Sequence, residues 1–372
     1  MSFLKMFYKT QNLASNGVFI VVATILLFFF GEFLIPEFKQ KTIPGQIATL
    51  NGFNLKYNDA PEVETFIRSI KENNGVLCLG TSESTFLDGR NYYHYLNNDL
   101  SIKETRFSIL AGAGRTCGMY IPLLMANKDI FDSLKIIYMI NPVYWRNDLS
   151  TVSKEYWYRY SSYGMGQNIS MNNKDTIHFS PVKEYYEGLN YFKRGILSAE
   201  YFLREKRKAY FHDLHYAFAS ENFNDQFGVM SELRGDLSND QNFLSPDFSE
   251  LDTTWNILKS FHNHQWFDPI NSSESYRFRE LKAFISLCKE LKIDVTYVVC
   301  PYNERFISNY SPASLSGYKK VTDQIKIILE QENSIYVDAT DISGIVGAFN
   351  DHQHYSSYGA FLIYQKLKDR YK

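Results

Sequence analysis

Short apolar runs that stop abruptly constrain this chain more than any other feature. Val76–Leu79 is too short and too unbroken for an amphipathic helix, and Gly80 ends it. Thr105–Leu110 runs into Ala111-Gly112-Ala113-Gly114, Leu134–Ile140 into Asn141-Pro142, and Asp294–Cys300 into Pro301. Each reads as a strand with a turn at its carboxyl end. Helical patterns lie between them: Pro61–Lys71, Cys117–Ile130 with a bend or a later start at Pro122, Tyr276–Leu291 and Gly317–Gln331. A strand over Ser334–Asp338 and a helix over Ser356–Lys368 follow. Strand and helix alternating at this spacing means βαβ units and a mostly parallel α/β sheet.

Residues 143–273 interrupt the rhythm. They are crowded with Tyr, Trp, Phe and His, with helical pieces such as Ser198–Leu214 and Thr253–His262. This is the pattern of a large insertion between sheet strands, the place on a rigid scaffold where substrate or partner contacts concentrate.

The amino end is different again. Gly17–Ile35 holds nineteen residues whose only charge is Glu32. As a helix they reach about 28 Å, enough for a hydrocarbon core. Lys5 and Lys9 precede the run with no acid beside them, which orients the amino terminus toward the cytoplasm. Gly31-Glu32-Phe33-Leu34-Ile35-Pro36 is a poor leader-cleavage site, which favours an uncleaved anchor over a signal peptide. The expected layout is a cytoplasmic 1–16, a single transmembrane anchor at 17–36, a connector at 37–60 and an extracytoplasmic domain at 61–372.

Charge is nearly balanced, with 39 basic and 41 acidic side chains and no basic block, so nucleic acid has no electrostatic footprint here. Cys78, Cys117, Cys288 and Cys300 show no CxxC or zinc spacing and read as buried small hydrophobes. An exported domain would permit a Cys117–Cys288 or Cys78–Cys300 disulfide.

Ser82 stands just past the first strand, where open α/β sheets place reactive groups. The plain alternative is a helix-capping serine in a βα loop. Asp351-His352-Gln353-His354 follows the last strand and leads into the last helix. Asp351 and His354, three apart, allow a carboxylate to hold an imidazole within one turn, and a serine on a neighbouring loop then becomes a nucleophile. Oxyanion donors would come from the Ser82 N–H, an N–H at Gly112 or Gly114, and the Asn141 amide. His352 reads as a loop residue. His94 reads as part of a Tyr-rich surface helix. His212/His215 and His262/His264 lack the acids or cysteines that would complete a metal site, and Arg115 suits an ion pair or an anionic polymer.

Gly80-x-Ser82, the glycine-rich second block and Asp351-x-x-His354 together resemble the SGNH (GDSL-like) hydrolase superfamily. The order of anchor, Gly80-Thr81-Ser82-Glu83, long insertion and Asp351-x-x-His354-x-x-x-x-Gly359 is similar to the DltD family of D-alanyl-lipoteichoic acid biosynthesis proteins. Thr81 stands where that family usually has Asp or Ser, and only Ile140-Asn141-Pro142 stands at the Gly-x-Asn-Asp block. The resemblance implies a flavodoxin-like three-layer sandwich. It implies an extracytoplasmic O-acyltransferase or esterase with Ser82 as nucleophile, His354 as base and Asp351 as its orienting partner. The acyl group would be D-alanyl or acetyl and the acceptor a cell-envelope polymer. A multi-pass membrane O-acyltransferase would be the partner, and no cofactor or metal is implied. Two other readings stay open: a non-catalytic, membrane-tethered polymer-binding or scaffold protein, and a simple ester hydrolase.

Overall fold

In sequence order, the first strands are β1 (Val76–Gly80), β2 (Phe107–Ala111) and β3 (Lys135–Ile140). A small pair, β4 (Met171–Asn172) and β5 (His178–Phe179), precedes β6 (Asp294–Val299) and β7 (Tyr336–Asp338). The helices are α1 (Tyr92–Asn98), α2 (Cys117–Ala126), α3 (Lys128–Phe131), α4 (Tyr276–Glu290), α5 (Glu304–Tyr310), α6 (Pro312–Gln331) and α7 (Ser357–Leu367). This computed structural model describes residues 18, 21–22, 67–84, 91–102, 105–111, 116–145, 171–172, 178–179, 189–196, 276–310 and 312–372.

Five strands form one sheet in the order β2-β1-β3-β6-β7, and β4 and β5 pair apart from it. All four pairings of the sheet are parallel, with Val76 opposite Phe107 and Lys135, and Tyr138 opposite Tyr297. With the small pair set aside, this is the flavodoxin-type 2-1-3-4-5 order. The order reverses between β1 and β3, and the crevice at that switch opens at the carboxyl ends of the strands.

Side chains alternate between the two faces. On one face Cys78, Ile109, Ile137, Met139 and Val298 pack with Tyr92, Tyr93 and Leu96 of α1 and Ile363 and Leu367 of α7. On the other, Tyr138 meets Tyr120 of α2 at 6.1 Å and Phe284 of α4 at 5.0 Å between ring centroids. Helices therefore cover both faces, and the strands can be apolar throughout. α7 is fastened to the α1 region by the Tyr95 hydroxyl on Ser357 O at 3.0 Å and the Tyr364 hydroxyl on Asp99 Oδ2 at 2.7 Å.

Helices turn into strands by one repeated device. Asn74, Lys292 and Asn333 sit at φ 50°, 53° and 49°. Their N–H groups bond back three residues and those of the next residue bond back five, as in Gly75 N to Ile70 O at 2.8 Å and Ser334 N to Leu329 O at 2.8 Å. This is the Schellman close, which satisfies the last carbonyls of a helix.

Three expectations are corrected. The helix does not start at Pro122: α2 runs from Cys117 to Ala126, and the backbone leaves helical geometry at Asn127. Burial of Tyr120, Ile121, Leu123 and Leu124 holds the helix despite the lost proline N–H. α6 starts at Pro312 rather than Gly317, with proline in the first turn where its missing N–H has no helical partner to lose. His94 does not lie on a surface helix. It is buried, its Nδ1 accepts the Asn91 N–H at 2.7 Å, and Asn91 caps α1 in return.

All four cysteines are free and buried. Two units divide the chain. The first comprises Met1–Lys41 and Leu189–Gln226, and the second, Thr42–Gly188 and Phe227–Lys372, carries the sheet. In the first, residues 18, 21–22 and 191–196 are helical. The expected anchor at 17–36 lies mostly outside the described residues, as does most of the 143–273 insertion. Among the described residues no helix is long and apolar enough to cross a membrane.

Candidate active site

Ser82 opens a single 3₁₀ turn, Ser82–Ser84, one residue beyond β1. Gly80 makes that turn feasible. A Cβ there would collide with the Ser84 side chain and press on Met139 Cβ at 3.1 Å. Glu83 then holds the turn from inside. Its carboxylate accepts the Thr81 N–H at 3.1 Å, the Thr81 hydroxyl, and the Asn141 amide at 3.0 Å. Its carbonyl accepts the Asn91 amide at 3.0 Å. Thr81 thus has a structural role of its own, because its hydroxyl is one of the donors that satisfy a buried carboxylate.

The base loop follows β7 and a 3₁₀ turn at Thr340–Gly344. A bridge between Phe349 and Tyr355 closes it, with Asn350 N on His354 O at 2.8 Å. Asp351 Oδ1 accepts the N–H groups of Gln353 at 2.9 Å and His354 at 2.7 Å. Asn303, just past β6, holds the loop from outside through Asp351 O at 2.8 Å and His352 O at 3.2 Å. Behind it, Gly359 seats α7: a Cβ there would run into the Ala348 carbonyl oxygen.

These two loops bring Ser82, His354 and Asp351 into one hydrogen-bonded chain. Asp351 Oδ2 lies 2.5 Å from His354 Nδ1, and His354 Nε2 lies 2.8 Å from Ser82 Oγ. The carboxylate sets the tautomer with the proton on Nδ1, so Nε2 accepts from the Ser82 hydroxyl. Burial alone would pull the His354 imidazole down, but the bond and charge of Asp351, with the charge of Glu83, hold it above its ordinary value. Burial pushes the Asp351 carboxyl up, and its bond to His354 and the nearby imidazoles more than offset that, leaving it below the usual range. His352, buried beside it, is pushed down to about 4, mainly by burial. It is neutral near pH 7, so His354 is the imidazole poised to gain a proton. The arrangement can pass a proton from a serine hydroxyl to an imidazole and back.

Asn141 is at the site, but its amide faces Glu83 Oε2 at 3.0 Å and Gln353 Oε1 at 3.4 Å. Gly112, Gly114, Arg115 and the His212/His215 and His262/His264 pairs lie outside the described residues. Among the described residues no group of three or more His, Cys, Asp or Glu is placed to hold a metal ion. Sequence reasoning missed Glu83, Gln353 and Asn303. A charge next to Ser82 in a buried turn was the available signal for Glu83. Gln353 and Asn303 look like ordinary loop residues until the loops are folded.

Residues 240–372 match the DltD protein family. That span includes Asp351 and His354 and begins after Ser82. Among solved structures, a member of the lipolytic G-D-S-L family from Veillonella parvula is 12% identical with a TM-score of 0.34, covering 79% of this chain and 96% of that one. A mutant of Axe2, an acetyl-xylooligosaccharide esterase from Geobacillus Stearmophilus, is 13% identical with a TM-score of 0.34, covering 80% and 93%. Phospholipase A1 from Streptomyces albidoflavus is 11% identical with a TM-score of 0.33, covering 79% and 98%. No curated protein matches.

Proposed function

Proceeding from a chain that is DltD-like over residues 240–372, we propose that it is a serine-dependent acyl-transfer enzyme that carries an acyl group on Ser82. The observation that supports this reading most directly is the Ser82–His354–Asp351 hydrogen-bonded chain at the carboxyl ends of the strands.

In the proposed cycle Ser82 Oγ attacks the carbonyl carbon of an acyl donor while its proton passes to His354 Nε2. Asp351 stabilises the imidazolium and keeps the ring in place. As the tetrahedral intermediate collapses, the bond to the donor's leaving group breaks, and that group takes the proton from His354. An ester between Ser82 Oγ and the acyl group remains. An acceptor hydroxyl repeats the sequence in reverse: His354 removes its proton, the acyl group moves to the acceptor oxygen, and Ser82 regains its hydrogen. In this reading the Ser82 N–H and an N–H at Gly112 or Gly114 would serve as oxyanion donors.

The acceptor proposed is a cell-envelope polymer and the acyl group D-alanyl or acetyl. The apolar run at 17–36 would tether the domain on the outer face of the cytoplasmic membrane, beside a multi-pass membrane O-acyltransferase. The test is covalent labelling of the purified chain with a fluorophosphonate, read by intact mass and peptide mapping. A single adduct on Ser82, absent in Ser82→Ala, and loss of polymer acylation in cells carrying Ser82→Ala are expected. Normal acylation in that variant would overturn the proposal.

A further inference from the structure

A serine nucleophile of this kind needs a donor for the negative charge that develops on the substrate oxygen. At the end of β3 the side chain placed for that task is Asn141, yet its hydrogen bonds are committed elsewhere. Asn141 Oδ1 accepts the Val143 N–H at 2.8 Å, which fixes the rotation of the amide. Nδ2 must then point the other way, and there it donates to Glu83 Oε2 at 3.0 Å.

That orientation fixes a second amide. Asn141 Nδ2 also faces Gln353 Oε1 at 3.4 Å, so the oxygen of Gln353 is turned toward Asn141 and its nitrogen away from it. Gln353 Nε2 lies 3.5 Å from Ser82 Oγ and 3.5 Å from His354 Nε2. Gln353 is buried at 3% exposure, so its rotamer is held by packing as well as by Asn141.

We propose that Gln353 is a catalytic residue whose side-chain amide donates to the oxyanion formed at Ser82, with Asn141 and Glu83 as the positioning residues that aim it. This rests on the reading of Ser82 as the nucleophile. The resting distance to Oγ is longer than a good hydrogen bond. The oxyanion grows two bonds beyond Oγ, so the donor shortens its contact only as the tetrahedral intermediate forms. A bond that strengthens on the way to the transition state accelerates the reaction rather than tightening ground-state binding. The backbone of Gln353 already does the loop's structural work, through its N–H on Asp351 Oδ1 at 2.9 Å. Side-chain substitutions leave that backbone contact in place.

The test uses Gln353→Met, which removes the donor, and Gln353→Glu, which also removes it but keeps an oxygen toward Asn141. Each is compared with wild type for the rate of Ser82 acylation by p-nitrophenyl acetate and by its thiono analogue, whose sulfur is a poor acceptor. Melting curves check the fold. The expected result is about a 10²-fold slower acylation by the oxygen ester in both variants. The thiono ester should slow far less, so that the oxygen-to-sulfur preference of the wild type collapses. Unchanged rates in both variants overturn the proposal. So does equal slowing on both esters, which is what a merely structural role produces. A wild-type chain that neither releases p-nitrophenol nor takes a fluorophosphonate overturns the Ser82 reading itself, and a reactive wild type with unaffected variants overturns Gln353 alone.

Discussion

One carboxylate grips both the backbone and the ring of the same histidine. Asp351 Oδ1 accepts the His354 N–H at 2.7 Å while Oδ2 lies 2.5 Å from His354 Nδ1. Oδ1 also takes the Gln353 N–H at 2.9 Å. An asparagine at this position has no choice of orientation, because its oxygen must face those two N–H groups. Its NH₂ then faces Nδ1 and forces the ring proton onto Nε2, where the Ser82 proton needs to go.

Asp351→Asn should therefore fold normally and lose about 10³-fold or more in kcat/KM. The pH profile should move as well. In the native protein the raised His354 value places the rising limb of activity above the ordinary pH of about 6.5. Without the carboxylate charge that limb shifts to lower pH. Measuring kcat/KM with a chromogenic ester across pH 5–9 checks both outcomes, and an unshifted limb would count against the assignment.

His352 predicts a separate acid sensitivity. Its value in the folded chain is about 4 against an ordinary 6.5. The unfolded chain gains a proton on this ring as pH falls below about 6.5, and the folded chain does not until near 4. Stability is accordingly intact above about 6.5 and falls by up to about 3 kcal/mol on the way to pH 4. His352→Phe places an apolar ring beside Phe306, whose centroid lies 6.0 Å from that of His352. Urea unfolding at pH 7 and pH 4.5 should show a smaller acid loss in that variant than in wild type, and equal losses would refute the account.

Behind the sheet, Arg277 Nη1 meets Glu280 Oε1 at 2.5 Å and Thr116 Oγ1 at 2.6 Å, all buried. Thr116 is the N-cap residue of α2, so this pair ties α4 to the start of α2. Burial pushes the Glu280 carboxyl well above its ordinary range, so loss of Arg277 leaves a protonated, poorly partnered carboxyl, at roughly 1–3 kcal/mol, whereas two apolar replacements of similar volume are often near neutral. Arg277→Met should lose stability on that scale, and Arg277→Met with Glu280→Leu should regain most of it. A double variant no better than the single one would show that the pair is needed for more than charge balance.

Gly359→Ala tests the seat of α7. The added methyl would strike the Ala348 carbonyl, which also accepts the Ser356 N–H at 3.1 Å. Overpacking of this kind costs about 1–3 kcal/mol. Because Ala348 and Ser356 flank the Asp351–His354 loop, the variant should also lose activity in proportion greater than its loss of folded protein. Thermal melts and esterase assays on the same samples separate the two effects.

The strands were legible because helices bury both sheet faces, so β1, β2, β3 and β6 are mostly apolar runs that end in Gly, Asn-Pro or Pro. Asp351 and His354 were legible for a local reason: a carboxylate three residues before an imidazole can reach both its N–H and its ring within one turn. His94 was not, because a histidine standing third in a capping box leaves no periodic trace, and a run of tyrosines gives no sign of which side is wet. Glu83 and Gln353 were hidden for a different reason. Their roles depend on Asn141, 58 residues from Glu83 and 212 from Gln353, and only the sheet brings the three together.

Ser82 and His354 are separated by 272 positions in the chain. At roughly 5–20 residues per second of synthesis, the serine is made tens of seconds before its base. Throughout that interval it is an ordinary alcohol. It gains a base when α7 docks on the α1 region through Tyr95 and Tyr364 and holds the preceding loop over β1. On the proposed reading, a chain that ends before the Asp351–His354 loop carries Ser82 without its base, so acyl transfer has to wait for the finished fold.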